Sequence, residues 1–150
     1  MILDIIYSRE PLTEQDVIKL EIEIGISLPV AYKNFLLSHN GGHPKTEEFP
    51  IQKNLSDTHA RVDFFLCLKD KDIYDITAWI GRYKKRIPSS MIPIAVDPGG
   101  NLVCLVVKGD HAGNVYFWDH EDEAGVGKEP WDKNLYFVAN NFDEFVKCLR

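Results

Sequence analysis

Apolar positions in the first forty residues recur at helical spacing. In LTEQDVIKLEIEIG, Val17, Leu20 and Ile24 fall on one face. Thr13 stands where an N-cap belongs, Asp16 can face unpaired amides from the third helical position, and Gly25 supplies a stop. In SLPVAYKNFLLSHNGG, Pro29 suits a first turn, Tyr32, Phe35 and Leu36 share a face, and Gly41 can take the left-handed conformation that ends a helix. The spacing predicts two helices packed as an antiparallel pair.

After Gly42 the period changes. EEFPI (47–51) and VDFFLCL (62–68) read as strands, and Gln52 to Arg61 as a polar loop between them. A third helix is predicted from Asp72 to Arg86, because Ile73, Ile76, Ile80 and Tyr83 recur at helical intervals. Arg82, Lys84, Lys85 and Arg86 then favour the negative end of its dipole. MIPIAVD, LVCLVV and NVYFWD are joined by the turn-rich DPGGN and KGDHAG and predict an antiparallel meander. Leu102 to Val107 is apolar without alternation, as expected of a central strand covered on both faces. LYFVA (135–139) adds a strand, and NFDEFVKCLR closes with a helix whose Phe142, Phe145, Val146 and Leu149 face inward. The expected class is α+β: a twisted, mainly antiparallel sheet with an N-terminal helical pair, one central helix and a C-terminal helix.

Length and composition narrow the picture further. A chain of 150 residues without repeat, low-complexity tract or linker is expected to form one domain over 1–150, and at that size roughly 70% of the unfolded surface can be buried. The start MILDIIYSRE carries an acid at Asp4 and no leader pattern, and no apolar run is long enough to span a bilayer, so a cytoplasmic protein away from membranes is expected. Cys67, Cys104 and Cys148 are far apart in apolar settings, which suits core thiols in a reducing compartment. A formal net charge of -6 argues against direct nucleic-acid or anionic-lipid partners and leaves basic proteins open.

No constellation reads as catalytic. The Asn-Gly-Gly and Asp-Pro-Gly-Gly segments lack the spacing and the lysine of a phosphate loop, and Ser38-His39 and Ser89-Ser90 have no base and acid arranged around them. His43 and His59 are isolated. The most enzyme-like group is Asp110, His111, Asp119, His120, Glu121 and Asp122, which could bind a divalent metal if the strand ends converge, although the spacing matches no metal motif. No catalytic residue, metal or cofactor is therefore assigned.

Charge geography is more informative. Between Asp110 and Asp132 lie seven acids (Asp110, Asp119, Glu121, Asp122, Glu123, Glu129 and Asp132) against a single base, Lys128. Trp118 and Trp131 flank the densest part. Aromatic anchors ringed by carboxylates suit a basic protein partner, which makes Asp110, Trp118, Asp119, His120, Glu121, Asp122 and Glu123 the candidate partner-binding residues. A solvated acidic loop beside two core tryptophans accounts for the same pattern.

A resemblance unites these pieces. Glu21, Ile24 and Gly25 at a helix end, then Leu28-Pro29, Tyr32, Phe35-Leu36 and Asn40-Gly41-Gly42, are similar to the signature of the SUKH superfamily, the Smi/Knr-like immunity proteins of bacterial polymorphic toxin systems. IPIAVDPGGNLVCLVV, NVYFWDHEDE and the terminal NFDEFVKCL follow in that family's order. The resemblance implies an α+β domain without enzymatic activity that binds a cognate toxin domain, often a nuclease, and blocks it by occlusion. It also implies that Glu21, Gly25, Leu28, Pro29, Tyr32, Phe35, Leu36, Asn40, Gly41 and Gly42 are structural. Two alternatives stand beside it: a regulatory or scaffold domain like the cell-wall-synthesis regulators of the same superfamily, and a metal-dependent hydrolase using His111, Asp119 and His120.

Overall fold

The structure is a computed structural model that describes residues 3–53, 56–69 and 71–150. The first two residues of the N-terminal segment, and residues 54 and 55 of the expected polar loop, lie outside the described residues. The order is β1 (Ile5–Ile6), α1 (Glu14–Ile24), α2 (Val30–Ser38), β2 (His43–Pro44), β3 (Glu48–Lys53), β4 (Ser56–Arg61), β5 (Phe64–Phe65), α3 (Ile76–Tyr83), β6 (Met91–Val96), β7 (Leu102–Val106), β8 (Val115–Trp118), β9 (Leu135–Ala139) and α4 (Phe142–Cys148). Strands β5 to β9 form a five-stranded antiparallel sheet in chain order. β1–β2 and β3–β4 form two small antiparallel pairs. The class is α+β, as the sequence predicts.

Helix α1 begins with a capping box. Thr13 accepts from the Asp16 backbone N–H at 3.2 Å, and the Asp16 carboxylate accepts from the Thr13 N–H at 2.7 Å. Gly25, at φ 73°, ends the helix, with its N–H on the Glu21 carbonyl. Glu21 then joins the two helices: its carboxylate accepts from the Leu28 N–H at 2.7 Å and pairs with Lys33 at 3.1 Å. Leu28, Tyr32, Phe35 and Leu36 are buried.

The sheet separates two packing faces. Phe65 and Phe117 point to one side, where Phe65 meets Phe35 of α2 and Phe142 and Phe145 of α4, and Phe117 meets Phe49 of β3. Phe64 and Trp118 point to the other side, where they meet Tyr74 and Tyr83. β7 lies in the middle with all five residues buried, as its unbroken apolar run predicts.

Four expectations need correction. Helix α2 stops at Ser38 with extended His39 as its C-cap, so Gly41 does not end it. Gly41 and Gly42 serve close approach: Gly42 exchanges backbone hydrogen bonds with Phe65 at 2.8 and 3.1 Å, and the Gly41 carbonyl accepts from Ser8. Within the expected loop, Ser56–Arg61 forms β4 against β3. Its signal is invisible because every β4 side chain except Ala60 is exposed, so no apolar alternation marks it. The third helix begins at Ile76 behind an Asp75 cap, not at Asp72. Asp72 instead faces Arg9 at 2.7 Å, and Ile73 is 76% exposed. Only two of the three thiols are fully internal, since Cys148 is half-buried. Burial pushes the Cys67 thiol up to about 12, which leaves it unreactive at neutral pH.

Candidate partner-binding surface

The chain leaving β8 reverses in a 3-10 turn at His120–Asp122 and returns to β9 at Leu135. This strap, residues 119–134, carries most of the acid-rich segment. It is held at several points. Asp119, 4% exposed, caps the turn through the Glu121 N–H at 3.0 Å and pairs with Lys53 from the end of β3. Its backbone bonds to Asn134, whose side-chain amide donates to the Asp119 carbonyl at 2.9 Å. His120 is tied to the β6–β7 turn: its N–H donates to Asn101 Oδ1 at 3.0 Å, and its Nδ1 lies 2.6 Å from that oxygen. Asp97 shapes that turn by accepting from the Gly99 and Asn101 N–H groups at 2.9 and 2.6 Å.

Further along, Glu123 receives both arms of Arg86 at 2.8 and 3.1 Å. The Arg86 guanidinium also lies 4.5 Å from the Tyr83 ring centre and 5.6 Å from that of Trp118. The Trp131 indole N–H donates to the Asp122 carbonyl at 2.9 Å, and Lys133 sits over its ring.

The candidate residues therefore divide. Trp118 is fully buried against Tyr83 and belongs to the core. Asp119 is internal and holds the strap. Asp110 and His111 occupy the β7–β8 turn at the opposite end of β8, about 13 Å of strand away, so they share no surface with His120. That separation removes the geometric basis for a hydrolase using His111, Asp119 and His120. Among the described residues no group of three or more His, Cys, Asp or Glu side chains converges as a metal site. Glu121 and Asp122 are exposed, His120 and Glu123 half-exposed, and Trp131, 38% exposed, stands beside them. Together with Lys133 and Tyr136 these acids and Trp131 line a shallow cleft of about 520 Å³.

Sequence reasoning missed Lys53 and Arg86 as anchors. Lys53 closes a strand and carries no pattern of its own, and Arg86 reads as one more cation at a helix end. Only folding brings them 66 and 37 residues along the chain to their acids.

Burial raises the Asp119 pKa, but the Lys53 ammonium and the Glu121 N–H outweigh it and hold the carboxyl below its usual range. A depressed carboxylate adds stability that is present above its unfolded pKa and lost as pH falls through the folded value. The unfolding free energy is thus expected to decline between about pH 5 and pH 2. Asp119→Asn should cost about 1–2 kcal/mol at pH 7 and flatten part of that decline in urea titrations. Asp72, held down by Arg9, contributes with the same sign and leaves a residual slope in the variant.

A sequence model of the SMI1/KNR4 family (SUKH-1) matches residues 11–148, which span both helices of the N-terminal pair, the five-stranded sheet and α4. The chain belongs to the SMI1/KNR4 family. It is also 31% identical, over 153 aligned positions, to the SPbeta prophage-derived uncharacterized protein YokK of Bacillus subtilis (strain 168), an alignment covering 91% of this chain and 74% of that relative. Family membership fits a superfamily of immunity proteins and points to a protein partner. No helix among the described residues is long and apolar enough to cross a membrane.

Proposed function

We propose that this SMI1/KNR4-family protein is an immunity protein: it binds a cognate toxin domain, a nuclease by the charge argument, and blocks it by occlusion without chemistry of its own. The observation that carries the reading is the pinned strap, which presents Glu121, Asp122 and the Trp131 edge on a segment tied down at Asp119, Asp122 and Glu123. Preorganised carboxylates around an aromatic ring suit a basic surface such as a nuclease uses to hold its substrate, and ordering the strap in advance lowers the entropic cost of binding. The relative YokK is prophage-derived, an origin compatible with this reading. The site of action is the cytoplasm, where a toxin and its target would meet.

The test is calorimetric and kinetic binding to the C-terminal domain of a secreted-toxin-like protein encoded beside this gene, with a toxicity-rescue assay in cells. Nanomolar one-to-one binding with rescue is expected. Glu121→Lys leaves the ties at Asp119 and Glu123 untouched, whereas the Asp122 carboxylate also lies 4.0 Å from the Lys53 ammonium that holds Asp119. The single reversal at Glu121 should slow association about threefold at low salt, with the difference shrinking as salt rises. Association indifferent to both would place the partner on another surface. Absence of binding and of rescue would favour a regulatory or scaffold role.

A further inference from the structure

The strap has a second side of opposite character. Beyond Glu123 it runs as Ala124-Gly125-Val126-Gly127-Lys128 past the segment that follows α3, and the two walls enclose an open groove of about 1170 Å³. Lys84 and Lys85 stand on one wall and Lys128 on the other. Ile87, Pro88 and the fully exposed Val126 supply apolar lining.

The ion-pair pattern sets the sign of the groove. Its carboxylates are Glu123 and Glu129. Arg86 neutralises Glu123 through two hydrogen bonds, whereas Lys84, Lys85 and Lys128 have no acid within ion-pair distance among the described residues. Three unpaired ammonium groups therefore face one unpaired carboxylate, Glu129, on a protein whose net charge is -6. The same Glu123–Arg86 pair borders the acidic cleft on the other side, since Glu123 lines both.

We infer that this groove receives an extended acidic peptide segment of the protein partner, with its carboxylates on Lys84, Lys85 and Lys128 and an apolar side chain against Pro88 and Val126. The inference rests on the immunity reading only for the owner of the segment. A volume of about 1170 Å³ suits a peptide more than a single small anion, and the apolar lining would be idle against a bare polyanion. The partner must then carry a basic patch and an acidic stretch in fixed register, one for each side of the Arg86–Glu123 divide. Register of opposite charges excludes partners that are merely basic, which is where specificity would arise.

The probe is a fluorescein-labelled decapeptide of alternating Glu and Leu, titrated against the full chain at low ionic strength, with the Gln/Leu and Lys/Leu versions as controls. Saturable binding of the Glu peptide alone is expected. Lys84→Gln, Lys85→Gln and Lys128→Gln together should weaken it about tenfold, as three exposed charge pairs worth a few-fold each would, and Glu129→Gln should tighten it. The charge-matched variant Lys19→Gln, Lys108→Gln, Lys147→Gln, which alters lysines elsewhere, should leave it unchanged. Equal weakening by both triple variants, or binding of the Gln/Leu peptide as tight as that of the Glu/Leu peptide, would overturn the site. Efficient competition by inorganic polyphosphate without apolar groups would assign the groove to a bare polyanion and overturn the peptide. Because no toxin enters this experiment, failure of the groove leaves the toxin-binding test untouched, and failure of that test leaves the groove standing.

Discussion

Gly42→Ala is expected to destabilise the fold by about 3 kcal/mol, among the largest costs of any single methyl group added to this chain. Gly42 sits at φ +121°, and a Cβ there would lie 2.5 Å from Ile5 Cγ2, 2.8 Å from the Ile6 carbonyl oxygen and 2.9 Å from Ser8 Oγ. The Ile5 methyl could rotate away. The Ile6 carbonyl cannot, because it belongs to β1, and Gly42 is at the same time bonded through its own N–H and C=O to Phe65 of β5. The residue is compressed between two strands, so relief at one side opens the other. Urea unfolding followed by tryptophan fluorescence should show the loss, with a fall in Tm of about 10 °C. Gly25→Ala is the control: it shares a positive φ of 73° but would meet nothing within 4 Å, so only its backbone conformation is penalised, at about 1 kcal/mol. Equal costs at the two sites would mean that Gly42 is selected for its dihedral angle and not for space.

Asn40→Ala should cost a similar amount by a different route. Asn40 is 2% exposed, and its amide donates to the Glu10 and Leu68 carbonyls at 2.8 and 2.9 Å while its Oδ1 accepts from the Leu68 N–H at 2.7 Å. Alanine leaves one backbone donor and two acceptors without these partners in a place that water reaches poorly, for about 3 kcal/mol in total. Asn40→Asp sharpens the test. It keeps the size but sets a carboxylate oxygen against two carbonyls, so the folded state raises the pKa of the new acid. The group then destabilises at neutral pH, and the deficit relative to the parent protein should shrink as pH falls and the acid regains a proton to donate. A deficit that is constant across pH would show that the side chain does not face those carbonyls.

These two residues explain why Asn-Gly-Gly follows helix α2 so closely. The motif does not terminate the helix, as its composition suggests; Gly41 and Gly42 join the end of α2 to β1 and β5 through close approaches that tolerate no Cβ, and the Asn40 side chain ties it to the segment before α3. None of it touches Glu121, Asp122 or the groove beside Lys84. Variants at Asn40 and Gly42 that remain folded are therefore expected to bind a partner normally.

The chain itself determined its secondary elements wherever a local physical rule suffices. Thr13 and Asp16 sit three residues apart and must meet at a helix start, and Leu102 to Val106, apolar at every position, is stable only between two covered faces. The family resemblance was likewise legible, because its marks are short and occur in order. Tertiary structure decided the rest. β4 has no pattern because its backbone pairing, not its side chains, holds it. Trp118 and Trp131 look equivalent beside the acids, yet one lies under Tyr83 and the other on the surface. The charge of the strap was also undecidable locally: Lys53 and Arg86 arrive from distant segments to neutralise Asp119 and Glu123. They leave Glu121 and Asp122 as the acidic face and Lys84, Lys85 and Lys128 as the basic one. A formal charge is written in the sequence, but whether it is spent within the fold or offered to a partner depends on which opposite charge folding brings within reach.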